Sequence, residues 1–246
     1  MANGAGSQLP SKKTPSDTVH AVVRAALSAL PGWGGPAGVL FESIFAKPSE
    51  RRTGAVVAML SSAVAELQKR PTVDFDALRD NGDFCEFAHD VLRAASHTHR
   101  REKLDAFRNI LVNAALPPAL DDTKARVFLR LVDDFDVHHL LLLQLMASPA
   151  TFLAKRKLPF PAPGDRLIEM DATTQHQSPR SLASIVNNVL RDELPSDLQE
   201  IVLQDLVRRG LTSTNTLGVL CTRDKSFASG LGHEFVSFIA NPPEPR

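Results

Sequence analysis

The sequence has no tyrosine, a single tryptophan and two cysteines, Cys85 and Cys221. Two distant cysteines cannot staple a small secreted fold, so reduced thiols inside a cell are expected. Charge of either sign is not in excess: 28 Lys and Arg meet 28 Asp and Glu over 246 residues. A general polyanion binder depends on many unpaired cations to release counterions, and this balance excludes one. Long apolar runs are missing too. The strongest spans 140–146 and is interrupted by Gln144, far short of the roughly 20 residues that a membrane helix needs. Residues 1–17 are polar, rich in Gly, Ser, Pro and Lys, with no apolar centre. They read as a disordered tail, not a signal peptide, and the expected location is cytoplasmic. The abundance of Ala, Leu, Val, Asp and Arg beside scarce Lys matches a GC-rich bacterial genome.

What is present is helical periodicity nearly throughout. Val19, Val22, Val23, Ala26, Leu27 and Leu30 form one stripe, and Val56, Leu60, Ala63 and Leu67 another. Pro48-Ser49-Glu50 is a start signal for the second. Asp83 is expected to cap a helix carrying Phe84, Phe87, Val91, Leu92 and Ala95. Leu104, Phe107, Leu111 and Ala114 continue to Pro117-Pro118, which ends their helix. Phe128, Leu131, Val132 and Phe135 follow. Residues 137–147 are apolar on most sides and predict a buried helix ending before Pro149. Short turn signals between these stripes favour antiparallel neighbours in a bundle.

The fold class predicted is therefore mainly α: an antiparallel helical bundle over 18–154, then a small winged-helix-like α+β module over 178–246. Between them, 155–177 carries Pro159, Pro161, Pro163 and Gly164 and reads as a Pro-rich linker or flap. In the last module Ser178-Pro179 opens one helix and Pro195-Ser196-Asp197 a second, which stops at Gly210. Segment 217–221 reads as a short strand. Leu206, Val207 and Leu211 would anchor the second helix, and Leu231, Phe235 and Phe238 would close the core from a terminal helix.

Motifs for chemistry are sparse. The Gly-rich turn at 31–38 lacks the Lys-Ser/Thr of a phosphate loop and follows a helical stripe, so it reads as a tight turn. Cys85 and His89, at i and i+4, are weak candidates for a metal pair, with no second pair at ligand spacing. Cys221 and His233 have the residue types of a dyad, but nothing positions them. Asp121-Asp122 and Asp133-Asp134 read as solvated helix-end charges. No catalytic residue and no cofactor are expected.

The remaining signals concern partners. The second helix of the last module carries Asp197, Glu200 and Asp205 before Arg208 and Arg209. Acidic side chains repel phosphate, so a protein partner, or a second copy, is favoured over DNA. Candidate contact residues are Trp33, Glu200, Gln204, Arg208 and Arg223. Segment 33–45, from Trp33 to Phe45, is an alternative peripheral membrane contact. Residues 1–70, which include it, hold eight basic and four acidic side chains, a balance of +4. A winged-helix DNA-binding regulator is the other alternative.

Two resemblances bear on this reading. Segment 30–52, LPGWGGPAGVLFESIFAKPSERR, looks like part of a group of uncharacterised bacterial helical proteins. Gly210-Leu211, then Gly232 and Phe235, resemble the C-terminal part of the abortive-infection alpha family of phage-defence proteins. A Thr is usual in that family where Leu231 stands here. The resemblance implies a phage-defence setting and supplies no catalytic residues.

Overall fold

Residues 53–117, 121–161 and 181–242 are described by a computed structural model. Ten helices dominate them, and no β-strand forms among them. The expectation of a mainly helical protein holds. The expected tail, the first stripe, Trp33, segment 33–45 and the Pro48-Ser49-Glu50 signal lie outside these residues.

Helix α1, Thr53–Gln68, buries Val56, Leu60, Ala63 and Leu67, the expected stripe, together with Met59 and Val64. Helix α2, Phe75–Asp80, is one short element that the periodicity did not show, since it buries no residue. Helix α3, Gly82–Ser96, is capped by Asn81, whose Oδ1 accepts from the Phe84 amide at 3.1 Å. The expected cap, Asp83, instead sits in the first turn. Asn81 has the extended backbone that a cap requires, and Asp83 is left to complement the helix dipole.

Helix α4, Arg101–Ala115, ends at Leu116, held extended (φ −95°, ψ 139°) by the ring of Pro117 that follows. Helix α5, Asp122–Asp134, is capped by Asp121. Helix α6, Val137–Ala147, is the centre of the molecule: Leu142, Leu143, Leu145 and Met146 are fully buried. A helix apolar on all sides must be covered on all sides, and α7, α9 and α10 all pack against α6. Pro149 opens helix α7, Pro149–Lys155, which bends 115° away from α6. Among the described residues no single helix is long and apolar enough to cross a membrane; the bent pair α6 and α7 passes together by length and composition.

After residue 181 come α8, Leu182–Val189, α9, Ser196–Arg208, and α10, Gly230–Ile239. Their apolar faces join the same buried cluster as α1 and α3–α7. Phe128 of α5 meets Phe235 edge-on at 5.3 Å and Phe238 at 5.8 Å, and Phe135 meets Phe235 at 6.3 Å. Edge-to-face contacts of this kind add about 1 kcal/mol each to the burial itself.

The winged hairpin is not formed. Segment 217–221 makes no strand; the only pairings among the described residues are single antiparallel bridges, Ser181 with Leu220 and Thr212 with Ala228. The reason lies in where the backbone groups go. The carbonyls of Leu217 and Val219 accept from the Ala183 and Leu182 amides at 2.8 and 2.9 Å. They thereby satisfy the open N-terminal donors of α8. Thr214 Oγ1 and Thr216 Oγ1 take the amides of Thr216 and Gly218. Local side-chain bonds of this kind compete with a ladder. Leu231 also departs from expectation. It is partly exposed, whereas Phe235 and Phe238 close the core as anticipated. Leu206 and Leu211 are fully buried, and Val207 is half-buried.

Candidate functional site

The outward face of α9 gathers three of the expected contact residues. Glu200, Gln204 and Arg208 follow one another at i, i+4 and i+8, so they share one side of the helix. Gln204 Nε2 donates to Glu200 Oε1 at 2.8 Å and to the Asn215 carbonyl at 3.3 Å, tying the loop after Gly210 to this face. Arg208 pairs with Asp205 at 3.3 Å. Between them stands Ile201, 58% exposed, the most exposed large apolar side chain among the described residues. Ile201 was not among the contact residues expected from the sequence. Its offset from Val202 and Leu206 was the available signal.

Arg223 is exposed and is not on this face. Its guanidinium lies over the Phe160 ring, 5.6 Å from the centroid, and joins the 222–226 turn to the segment after α7. Trp33, the fifth contact candidate, lies outside the described residues.

The candidate metal pair is not assembled. Cys85 Sγ donates to the carbonyls of Arg79 (3.4 Å) and Leu78 (3.7 Å) at the end of α2, while His89 is exposed. Burial pushes the Cys85 thiol above its ordinary range, and Asp80 adds to this. A raised thiol supplies less of the thiolate that binds metal. Among the described residues no group of three His, Cys, Asp or Glu side chains is placed to hold an ion. Of the paired carboxylates, Asp121 is a cap, Asp122 pairs with Arg126 at 3.0 Å, and Asp134 pairs with Arg209 at 3.0 Å.

Cys221 and His233 are also apart in role. Cys221 is fully buried, its Sγ directed to the Thr222 carbonyl. His233 Nε2 instead meets Ser226 Oγ at 2.7 Å. Ser226 Oγ also accepts from the Ala228 amide at 3.1 Å. The ring is exposed, with no carboxylate on its other nitrogen among the described residues.

Gly210 and Leu211 follow α9, and Gly232 and Phe235 lie in α10. Gly210 takes φ +70°, the left-handed conformation that glycine adopts without strain. Leu211 and Gly210 donate to the Leu206 and Val207 carbonyls, closing the end of α9. Ser229 caps α10 through the Gly232 amide and donates to the Gly210 carbonyl at 2.6 Å. At Gly232 the α10 backbone runs against the Leu211 carbonyl with no room for a Cβ. These residues build architecture and hold α9 and α10 in register.

A second feature lies between α3 and α5. Asp90, Arg93 and the C-cap residue His97 of α3, with Arg126, Arg130 and Asp133 of α5, line a cleft of about 280 Å³. Arg93 and His97, and Arg126 and Arg130, are each spaced i, i+4, which was legible; that the two faces meet was not.

No family model matches the chain, and neither a curated protein nor a solved structure matches it.

Proposed function

We propose that this chain is a non-enzymatic interaction protein that engages a protein partner through the outward face of α9. The observation that supports this is Ile201. An aliphatic side chain held open among Asp197, Glu200, Gln204 and Arg208 leaves apolar surface in water, and burying it stabilises a complex at about 25 cal/mol per Å². Its polar surroundings resemble the rim of a protein interface around an apolar anchor. The charges favour protein over DNA. Asp197, Glu200 and Asp205 line the helix, while Arg208 and Arg209 pair with Asp205 and Asp134. The resemblance at Gly210-Leu211, Gly232 and Phe235 suggests a bacterial, cytoplasmic phage-defence setting for this contact.

The test is a photo-crosslinking amino acid placed at position 201, with position 127 on α5 as a second exposed apolar site. The expected result in cells is a discrete adduct from 201 and none from 127. The adduct should disappear when Glu200→Ala and Gln204→Ala are added. Adducts that are absent, or identical from both positions, would overturn the reading. An adduct to a second copy of the chain would identify self-association as the contact.

A further inference from the structure

Asn81-Gly82 joins α2 to α3, and both residues are exposed. Asn81 closes one helix and opens the other. Its amide donates to the Ala77 carbonyl at 3.0 Å, its carbonyl accepts from the Cys85 amide at 3.1 Å, and its Oδ1 accepts from the Phe84 amide. Gly82 brings only backbone beside the Asn81 side chain, and a Cβ placed there would meet no atom within 4 Å. The other asparagines of the described residues precede Ile110, Ala114, Asn188, Val189, Thr216 and Pro242. A side chain or a proline ring crowds the nitrogen that follows each of them. The turn at Asn81 is also lightly held, because α2 buries no residue. An element with few buried apolar contacts opens at low free-energy cost.

We propose that Asn81 is a site of spontaneous deamidation and isomerisation, and that its isoaspartate product uncouples α2 from α3. When the first turn of α3 opens, the Gly82 nitrogen loses its proton and attacks Asn81 Cγ. A C–N bond forms, the Cγ–Nδ2 bond breaks, and Nδ2 leaves with that proton as ammonia. Water then opens the cyclic imide. Addition at Cγ gives aspartate, which still offers an acceptor to the Phe84 amide and suits a helix N-terminus. Addition at the main-chain carbonyl gives isoaspartate, in which the chain runs through Cβ and Cγ and is one carbon longer. The oxygen that capped α3 then becomes a main-chain carbonyl, and the cap is lost. Cys85 reports this change, because its thiol rests on the Arg79 and Leu78 carbonyls at the end of α2, at 3.4 and 3.7 Å. This site is independent of the α9 face.

The experiment is incubation of the full chain at neutral and at mildly alkaline pH, followed by peptide mapping. An Asn81→Asp chain marks where the aspartate peptide elutes, and the map separates Asn81 from Asn3, the sequence's other asparagine before glycine. Aspartate and isoaspartate should accumulate together at position 81, faster at alkaline pH, and not at the other described asparagines. Maleimide labelling of Cys85 should rise with the isoaspartate fraction and stay low in Asn81→Asp. Gly82→Ala adds its methyl to open space, so the fold is kept, and conversion should slow several-fold. The proposal is overturned by an unconverted Asn81 in the folded chain, even where the urea-unfolded chain converts. Equal conversion in Gly82→Ala, or Cys85 labelling that does not follow isoaspartate, would overturn it too.

Discussion

His139 shows how one side chain can hold several constraints at once. Its Nδ1 accepts from the Asp136 amide at 3.2 Å and completes a capping box at the start of α6. Its ring stacks on Phe135 at 4.8 Å, nearly parallel. Nε2 is buried 3.5 Å from Asp205 Oδ2 on α9, too poorly aligned to count as a hydrogen bond. Burial lowers the His139 pKa below its ordinary 6.5, against the opposing pull of Asp205 and Asp136. Protonation would also place a proton on the nitrogen that accepts the cap. The unfolded chain therefore binds the extra proton more readily. Stability from the neutral ring is complete above about pH 6.5 and declines as pH falls through the lower folded value. His139→Gln keeps an acceptor for the cap but cannot titrate. Urea midpoints between pH 7.5 and 5 should fall more steeply for the wild-type chain than for this variant. Parallel curves would show that other groups carry the acid sensitivity.

Among the elements, the 209–232 turn is the most tightly specified. It closes α9 and opens α10, and it anchors to α6 through the Phe227 amide and the Met146 carbonyl at 2.8 Å. The Leu211 carbonyl accepts from the Ser229 amide at 2.9 Å and presses on Gly232. Gly232→Ala must displace that carbonyl and should cost roughly 1–3 kcal/mol, as overpacking does. Gly230→Ala, two residues earlier in the same helix, adds its methyl to open space and should be neutral or slightly stabilising. Denaturant melts of the two variants give the comparison; equal midpoints would remove the special role assigned to Gly232. The sequence pattern of a Gly-Leu turn and a later Gly-x-x-Phe was legible, and so was the terminal helix. A hairpin between them was also expected. It fails because the carbonyls of Leu217 and Val219 are drawn to the amides of α8, a long-range demand that no local pattern records.

At the scale of the whole molecule, side-chain amides of α4 hold the end of α10. Asn113 Nδ2 donates to the Phe238 and Ala240 carbonyls at 2.7 and 3.0 Å, and Asn109 Nδ2 to the Ile239 carbonyl at 2.9 Å. These are the open acceptors at the end of α10, and α4 satisfies them across more than 120 residues of sequence. Asn113→Ala leaves the Phe238 and Ala240 carbonyls without this donor in a partly buried place and should cost about 1–3 kcal/mol. Amide exchange should then quicken selectively at the C-terminal turn of α10. An unchanged melt and exchange pattern would mean that water replaces the side chain without loss.

The same contrast runs through the candidate surfaces. Periodicity alone determined the helical class, the buried character of α6 and the ends of α4, α6 and α9, because the spacing of apolar residues and the positions of proline and glycine act locally. Spacing also placed Glu200, Gln204 and Arg208 on one side of α9, and Arg126 and Arg130 on one side of α5. Only the tertiary structure decided which helix faces meet. It left Ile201 in water, turned His233 toward Ser226 instead of Cys221, and brought Arg93 and His97 opposite Arg126 and Arg130. Those outcomes depend on burial and on pairing between distant backbone and charged groups, and a one-dimensional pattern carries neither.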